Sequence, residues 1–218
     1  MYQKFVKRII DFIIALIALP FVILIIIITT PFIIFDDGMP IFYNAERIGQ
    51  YGKLFKMYKF RSMKKNAPDI RLADGSTYNG EDDPRVTKIG KILRKTSIDE
   101  IPQLLNVLKG EMSLIGPRPD PPDWLEKYPE NIRIFLNVKP GITGYSQAYF
   151  RNSADGQEKM LNDMFYAKNC SFWLDIKIIF KTIAIVLMHE NTYKDTGKES
   201  NQINEKDKSV LKDLISKK

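Results

Sequence analysis

Asp99 and Glu100 stand side by side in "KTSIDEIPQLLNVLKGEMSLIGPRP" (residues 95–119), a run that closes on the stiff Gly116-Pro117-Arg118-Pro119. Acids at a helix start often serve only as caps. Ser97 and Glu100 match the Ser-x-x-Glu capping box, and first-turn acids are favoured by the helix dipole. Pro102 counts against that reading. With Ser97 as cap, Pro102 falls at the fifth helical position, where a backbone donor is needed. With the helix starting at Asp99 it falls at the third, where none is. Either start places Asp99 beside exposed amides that favour its charge and can receive a phosphate. Arg85, Lys88, Lys91, Arg94 and Lys95 precede the pair and Arg118 follows it. A carboxylate ringed by cations suits phosphoryl transfer: arginines grip phosphate oxygens bidentately, and an acid attacks phosphorus or holds a magnesium ion. The bland alternative for the basic residues is a solvated face or contact with anionic headgroups, and Lys88 and Lys95 fit it.

Composition narrows the chemistry further. A single histidine, His189, and a single cysteine, Cys170, argue against Ser-His or Cys-His catalysis and His-based zinc sites, and leave no internal disulfide. Acid–base and nucleophilic work therefore falls to carboxylates, lysines or tyrosines. The 218 residues, 44% hydrophobic and 27% charged, allow one domain with appendages. The net charge of +7 points to an anionic partner: nucleic acid, a phosphorylated small molecule or an anionic bilayer.

The elements that must position these residues begin at the N-terminus. Phe12–Phe35 carries no charged side chain, and as a straight helix it extends about 36 Å, enough to cross a bilayer core. A spanning anchor is one reading. Pro20 and Pro31 inside the run, and basic residues on both flanks (Lys4, Lys7 and Arg8 before; Arg47, Lys53, Lys56, Lys59 and Arg61 after), favour a segment that enters and returns. Residues 40–63 read as two strands joined by a turn around Gly49 and Gly52, with Lys59 and Arg61 on one face of the second. Residues 66–84 form a polar loop. Ile101, Leu104, Leu105 and Leu108 recur at helical spacing, and Gly110 can end their helix. Residues 138–152 read as a glycine-punctuated loop and residues 156–169 as a helix. Residues 171–189 form an apolar helix interrupted by Asp175, Lys177 and Lys181, suited to an interface or to core packing. From Lys194 onward the composition is that of a mobile tail.

"KRIID", "YKFRSM", "RVTKIGKILRKTSIDEIPQLLNVLKGEMSLIGPRP" and "KPGITGYSQ" occur in the order found in the bacterial sugar transferases, and the chain resembles these monotopic polyprenyl-phosphate phosphoglycosyl transferases from about Lys7 to Leu187. The resemblance implies an α+β fold. Its mostly helical cytoplasmic domain (37–193, with interfacial helices and a small β-hairpin) would sit on a re-entrant membrane helix (1–36), broken in mid-membrane and monotopic at the cytoplasmic face of the bacterial inner membrane. A polar tail (194–218) would follow. It further implies that Asp99 attacks the sugar-linked phosphate of a UDP-sugar, releases UMP, and passes the phosphosugar to polyprenyl (undecaprenyl) phosphate. Glu100 would ligate the Mg2+ the family requires, Arg94 and Arg118 would bind phosphate, and Lys59 and Arg61 would line the site. Arg151 and Asp163 align with polar positions near the nucleotide pocket. Two departures stand out. Ile23 and Leu24 occupy the place of a Ser-Pro pair common in relatives, which leaves the bend to Pro20 or Pro31. "GYSQA" also replaces the commoner Gly-Trp-Ala-Gln. Membrane lipids are the other expected partners. Nucleic acid is not, because the basic residues interleave with acids and prolines instead of forming a stripe with exposed aromatics. A homodimer is left open. The competing functions are a membrane-anchored basic binding module and a glycosyltransferase that moves only the sugar and releases UDP.

Overall fold

The computed structural model describes residues 2–71, 78, 80, 82–150 and 156–188. The chain opens with a short π-helical turn and the long helix α1 (Lys7–Asp37), which runs through Pro20 and Pro31 as one element. The helical backbone is uninterrupted at either proline to which the sequence leaves the bend. Thr30, beside Pro31, bonds back to the carbonyl of Ile26 at 2.7 Å, a contact that bends helices without ending them. Lys7, Asp11, Ala15, Val22, Thr29 and Ile33 form a buried stripe along α1, while Ile17, Phe21, Ile27 and Phe32 are exposed and Phe35 is 89% exposed. Among the described residues this is the one helix long and apolar enough to cross a membrane.

Both ends of α1 are bonded to the same body. At its start Lys7 Nζ lies 2.6 Å from Asp175 Oδ2, Arg8 donates to the carbonyls of Val107 and Leu108, and Asp11 accepts from Ser113 Oγ at 2.7 Å. At its end the Arg61 guanidinium donates to the carbonyls of Asp37, Gly38 and Met39, and Asp36 accepts from the backbone of Ile89.

The hairpin forms as expected: β1 (Ala45–Ile48) pairs antiparallel with β2 (Leu54–Met57), Ala45 opposite Met57 and Ile48 opposite Leu54. Phe55 and Met57 turn inward while Leu54 and Lys56 turn out, the alternation of a half-buried strand. The turn needs Gly52, whose φ of +75° disfavours a side chain. Phe55 and Met57 then join Ala15, Val107 and Met112 in a core between α1, β2 and α3 (Gln103–Lys109).

The second sheet is a correction. Within the segment expected to be a loop, β4 (Gly141–Thr143) runs parallel to β3 (Ser113–Ile115), and α4 (Tyr145–Tyr149) follows. The two backbones approach so closely that a Cβ on Gly141 would sit 2.0 Å from the amide nitrogen of Gly116. This contact fixes the segment leading to Arg118. α5 (Gly156–Asn169) and α6 (Phe172–Met188) close a core of Ile115, Val138, Ala148, Tyr166 and Ile178. α6 keeps Asp175 inside and turns Phe172, Trp173, Phe180 and Ile183 outward. The expected tail lies outside the described residues.

Candidate active site

α2 (Lys88–Lys95), capped by Thr87, leads into the acidic pair. Ser97 then takes a left-handed φ of 58°, an uncommon conformation for a side-chain-bearing residue, and a 3-10 turn spans Ile98–Glu100. The capping box does not form: Ser97 makes no side-chain cap bond, and α3 starts at Gln103 behind Pro102. Both helix starts considered from the sequence are thus too early. Asp99 and Glu100 occupy a tight turn of their own, which turns their side chains from capping to the site.

Asp99 is only 2% exposed. Lys59 Nζ lies 2.8 Å from Asp99 Oδ2 and 3.1 Å from Glu100 Oε1, so one ammonium serves both acids. Arg118 Nη2 lies 2.8 Å from Glu100 Oε1. Burial works against the charge of Glu100, but Arg118 and Lys59 overcome it and hold the carboxyl well below the usual range. The backbone is pinned as well, with Phe60 N–H donating to the carbonyl of Asp99 at 2.9 Å.

Two supports were missed in the sequence. Asn106, with no solvent exposure, donates to the carbonyl of Lys56 at 2.8 Å and accepts from the backbone of Tyr58 at 2.9 Å. It clamps the strand that delivers Lys59, and its signal was an amide set among leucines. The leucine stripe is consequently only half-buried, and the deepest residues of α3 are Gln103, Asn106 and Val107. The other support is the Arg118 loop. Gly116 donates to Thr143, Gly141 to the carbonyl of Pro117, and Ile48 to the carbonyl of Asp120, each at 2.9 Å.

The structure therefore brings together Lys59, Asp99, Glu100 and Arg118. Arg61 goes elsewhere: β2 ends at Met57, its alternation lapses, and the Arg61 guanidinium closes the end of α1. Arg94 Nε donates to Ser62 Oγ at 2.9 Å. Arg85 is spent on Asp83 and on the carbonyls of Pro68 and Tyr78. Asp163 is 1% exposed, its oxygens lack a hydrogen bond, and Lys159 is 3.6 Å away. Burial pushes its carboxyl up to about 7. Its neighbour Lys159 is also bonded to Asp120, at 2.6 Å. Arg151 lies outside the described residues.

The acidic pair fits a hard cation by donor chemistry, since both carboxylates already share the charge of Lys59. Among the described residues no three metal-binding side chains gather, so water and phosphate oxygens would complete the shell, as magnesium commonly requires.

A sequence profile described as "Bacterial sugar transferase" matches residues 2–189. The chain belongs to the bacterial sugar transferases. The undecaprenyl-phosphate galactose phosphotransferase of Salmonella typhimurium is 41% identical over 208 residues, 88% of this chain and 42% of that protein. The UDP-N-acetylgalactosamine-undecaprenyl-phosphate N-acetylgalactosaminephosphotransferase of Aeromonas hydrophila is 38% identical over 84% of this chain and 44% of its own length. The exopolysaccharide production protein ExoY of Sinorhizobium fredii is 38% identical over 86% of this chain and 88% of its own. This sugar transferase thus spans less than half of the first two relatives and most of the third.

Proposed function

We propose that the protein transfers a phosphosugar from a UDP-sugar to polyprenyl (undecaprenyl) phosphate, the first membrane step in assembling a glycoconjugate. The observation that carries this reading is the buried Asp99, paired to Lys59 beside a Glu100 that Lys59 and Arg118 hold ionised. The names of the relatives supply the acceptor and the kind of group moved.

In the first half-reaction an Asp99 carboxylate oxygen bonds to the sugar-linked phosphorus. The bond from that phosphorus to the bridging oxygen breaks, and UMP leaves with the electron pair. In the second, an oxygen of polyprenyl phosphate bonds to the same phosphorus, the Asp99–phosphorus bond breaks, and the carboxylate is restored as polyprenyl diphosphate sugar departs. Lys59, freed by the substrate's negative charge, and the half-exposed Arg118 hold phosphate oxygens while charge builds on them. Glu100 would hold magnesium, which when bound supplies charge neutralisation at phosphate. A shared nucleophile lets a soluble donor and a lipid acceptor use one site in turn.

The reading includes a re-entrant, monotopic α1 at the cytoplasmic face. It is supported by the exposed apolar surface of α1 together with the bonds that tie both its ends to one body. The test is the nucleotide released from UDP-sugars by purified protein with polyprenyl phosphate and Mg2+. UMP is expected, Asp99→Asn should lower turnover by about 10⁴-fold or more, and mass spectrometry should find a phosphosugar on Asp99. Release of UDP, or full turnover by Asp99→Asn, overturns the mechanism.

A further inference from the structure

Behind Arg118 lies a second, partly buried charge cluster that the reaction so far leaves unused. Lys159, on α5, places Nζ 2.6 Å from Asp120 Oδ2, 3.6 Å from Asp163 Oδ2 and 3.4 Å from the carbonyl oxygen of Arg118. Tyr128 also donates to Asp120 Oδ2, at 2.8 Å. Asp120 stands two residues beyond Arg118, and its charge acts on that guanidinium, as do those of Glu100 and Asp99. Arg118 thus faces two rival acids. It is bonded to Glu100 at 2.8 Å, while the carboxylate of Asp120 is taken up by Lys159 and Tyr128.

We propose that Lys159 is a positioning residue: by neutralising Asp120 it leaves the Arg118 guanidinium to Glu100 and to substrate phosphate. The role given to Arg118 rests on the phosphosugar-transfer reading, whereas the competition between the two acids rests on the placement of Asp120 two residues beyond Arg118 and on the Lys159 ammonium that reaches both Asp120 and the Arg118 carbonyl. The backbone has stronger ties than the 3.4 Å contact of Lys159 with the Arg118 carbonyl. Pro117, Pro119 and Pro121 restrict it, and the bonds from Gly141 to Pro117 and from Ile48 to Asp120 hold both ends of the loop. What remains adjustable is the long Arg118 side chain, and its direction follows the stronger unpaired charge. Without Lys159, the hydrogen bond left to the Asp120 carboxylate among the described residues comes from the Tyr128 phenol, and Arg47 is the other cation acting on it. A carboxylate that has lost its directly bonded cation then competes for Arg118 with one already shared with Lys59.

The test is a double-mutant cycle read as turnover of UDP-sugar with polyprenyl phosphate. Lys159→Met should lower kcat/KM by about thirtyfold, while Asp120→Asn, which removes the rival, should stay within about threefold of wild type. The double variant should match Asp120→Asn, because with no rival there is nothing to neutralise. Lys159→Arg, which keeps the charge, should stay near wild type. The proposal fails if Lys159→Met costs less than about threefold, or if its loss persists undiminished on the Asp120→Asn background. Where Lys159→Met does not fold, the double variant decides: activity equal to Asp120→Asn supports the proposal, and further loss overturns it. A double variant that fails to fold where Asp120→Asn folds also overturns it, since Lys159 is then required independently of Asp120. Failure of the transfer reading would show separately, in the identity of the nucleotide the wild type releases.

Discussion

Lys59 shows how tightly the site is shared, because one ammonium neutralises two acids that differ in their second partner. Glu100 has Arg118 as well, so Glu100→Gln leaves two cations without their common anion and weakens the proposed metal site. Turnover should fall by about a hundredfold, with the Mg2+ concentration for half-activity raised and the melting temperature little changed. A magnesium titration showing wild-type behaviour would remove Glu100 from the metal. Asp163 makes a different prediction. Burial lifts its carboxyl from the usual 3.8 to about 7, so between those values the folded chain binds a proton that the unfolded chain has released. Stability is then greatest below the window and falls as pH rises through it. Asp163→Asn should flatten that slope, gaining melting temperature over wild type at pH 8 and little at pH 4, as thermal melts across pH would read. Asp99, Glu100 and Arg118 were legible in the sequence because a long motif carries them, and Lys59 because the separate "YKFRSM" motif does. Arg61 was misread because side-chain alternation holds only while a strand lasts, and this one stops at Met57.

Elements were legible where one periodicity ruled them. The hairpin, α5 and α6 lie where strand alternation and apolar spacing place them. The parallel pair β3–β4 was hidden, since three-residue strands separated by a long excursion leave no pattern, only glycines allowing close approach. The turn at Asp99 was hidden for another reason: sequence signals for a cap are identical whether the acids bond the helix or a lysine across the cleft. Asp175 reads as an interruption of α6 but is its most consequential residue. It accepts from Lys7 at 2.6 Å, Tyr2 at 2.6 Å and Tyr166 at 2.8 Å, out of solvent. Removing one partner of a buried ion pair strands the other, at a cost of about 3–5 kcal/mol. Lys7→Met should therefore lower the melting temperature in detergent by about 10 °C. Lys7→Met with Asp175→Leu should recover much of it. Equal melts for wild type and Lys7→Met would show that the pair does not fasten α1.

At the scale of the molecule the question is where a helix about 46 Å long puts its two ends. For α1 to span a bilayer, its first turns would have to leave the domain. That would break the Lys7–Asp175 pair, the bonds from Arg8 to Val107 and Leu108, and the contact of Asp11 with Ser113 together. Keeping both ends on one side preserves all of these and the Arg61 contacts at the far end. It still offers the exposed face of α1 to lipid, along with Phe172, the 73% exposed Trp173 and Phe180 of α6, whose Lys177 and Lys181 can reach headgroups. In a Cys170→Ser background, cysteines placed at Gln3 and at Glu46 should react with an impermeant thiol reagent from the same side of sealed membranes. In protein retaining Trp173 after Trp124→Phe, brominated lipids should quench the remaining fluorescence. Labelling of Gln3 and Glu46 from opposite sides would require the bonds at the start of α1 to be absent in the membrane. An unquenched Trp173 would remove α6 from the lipid-facing surface.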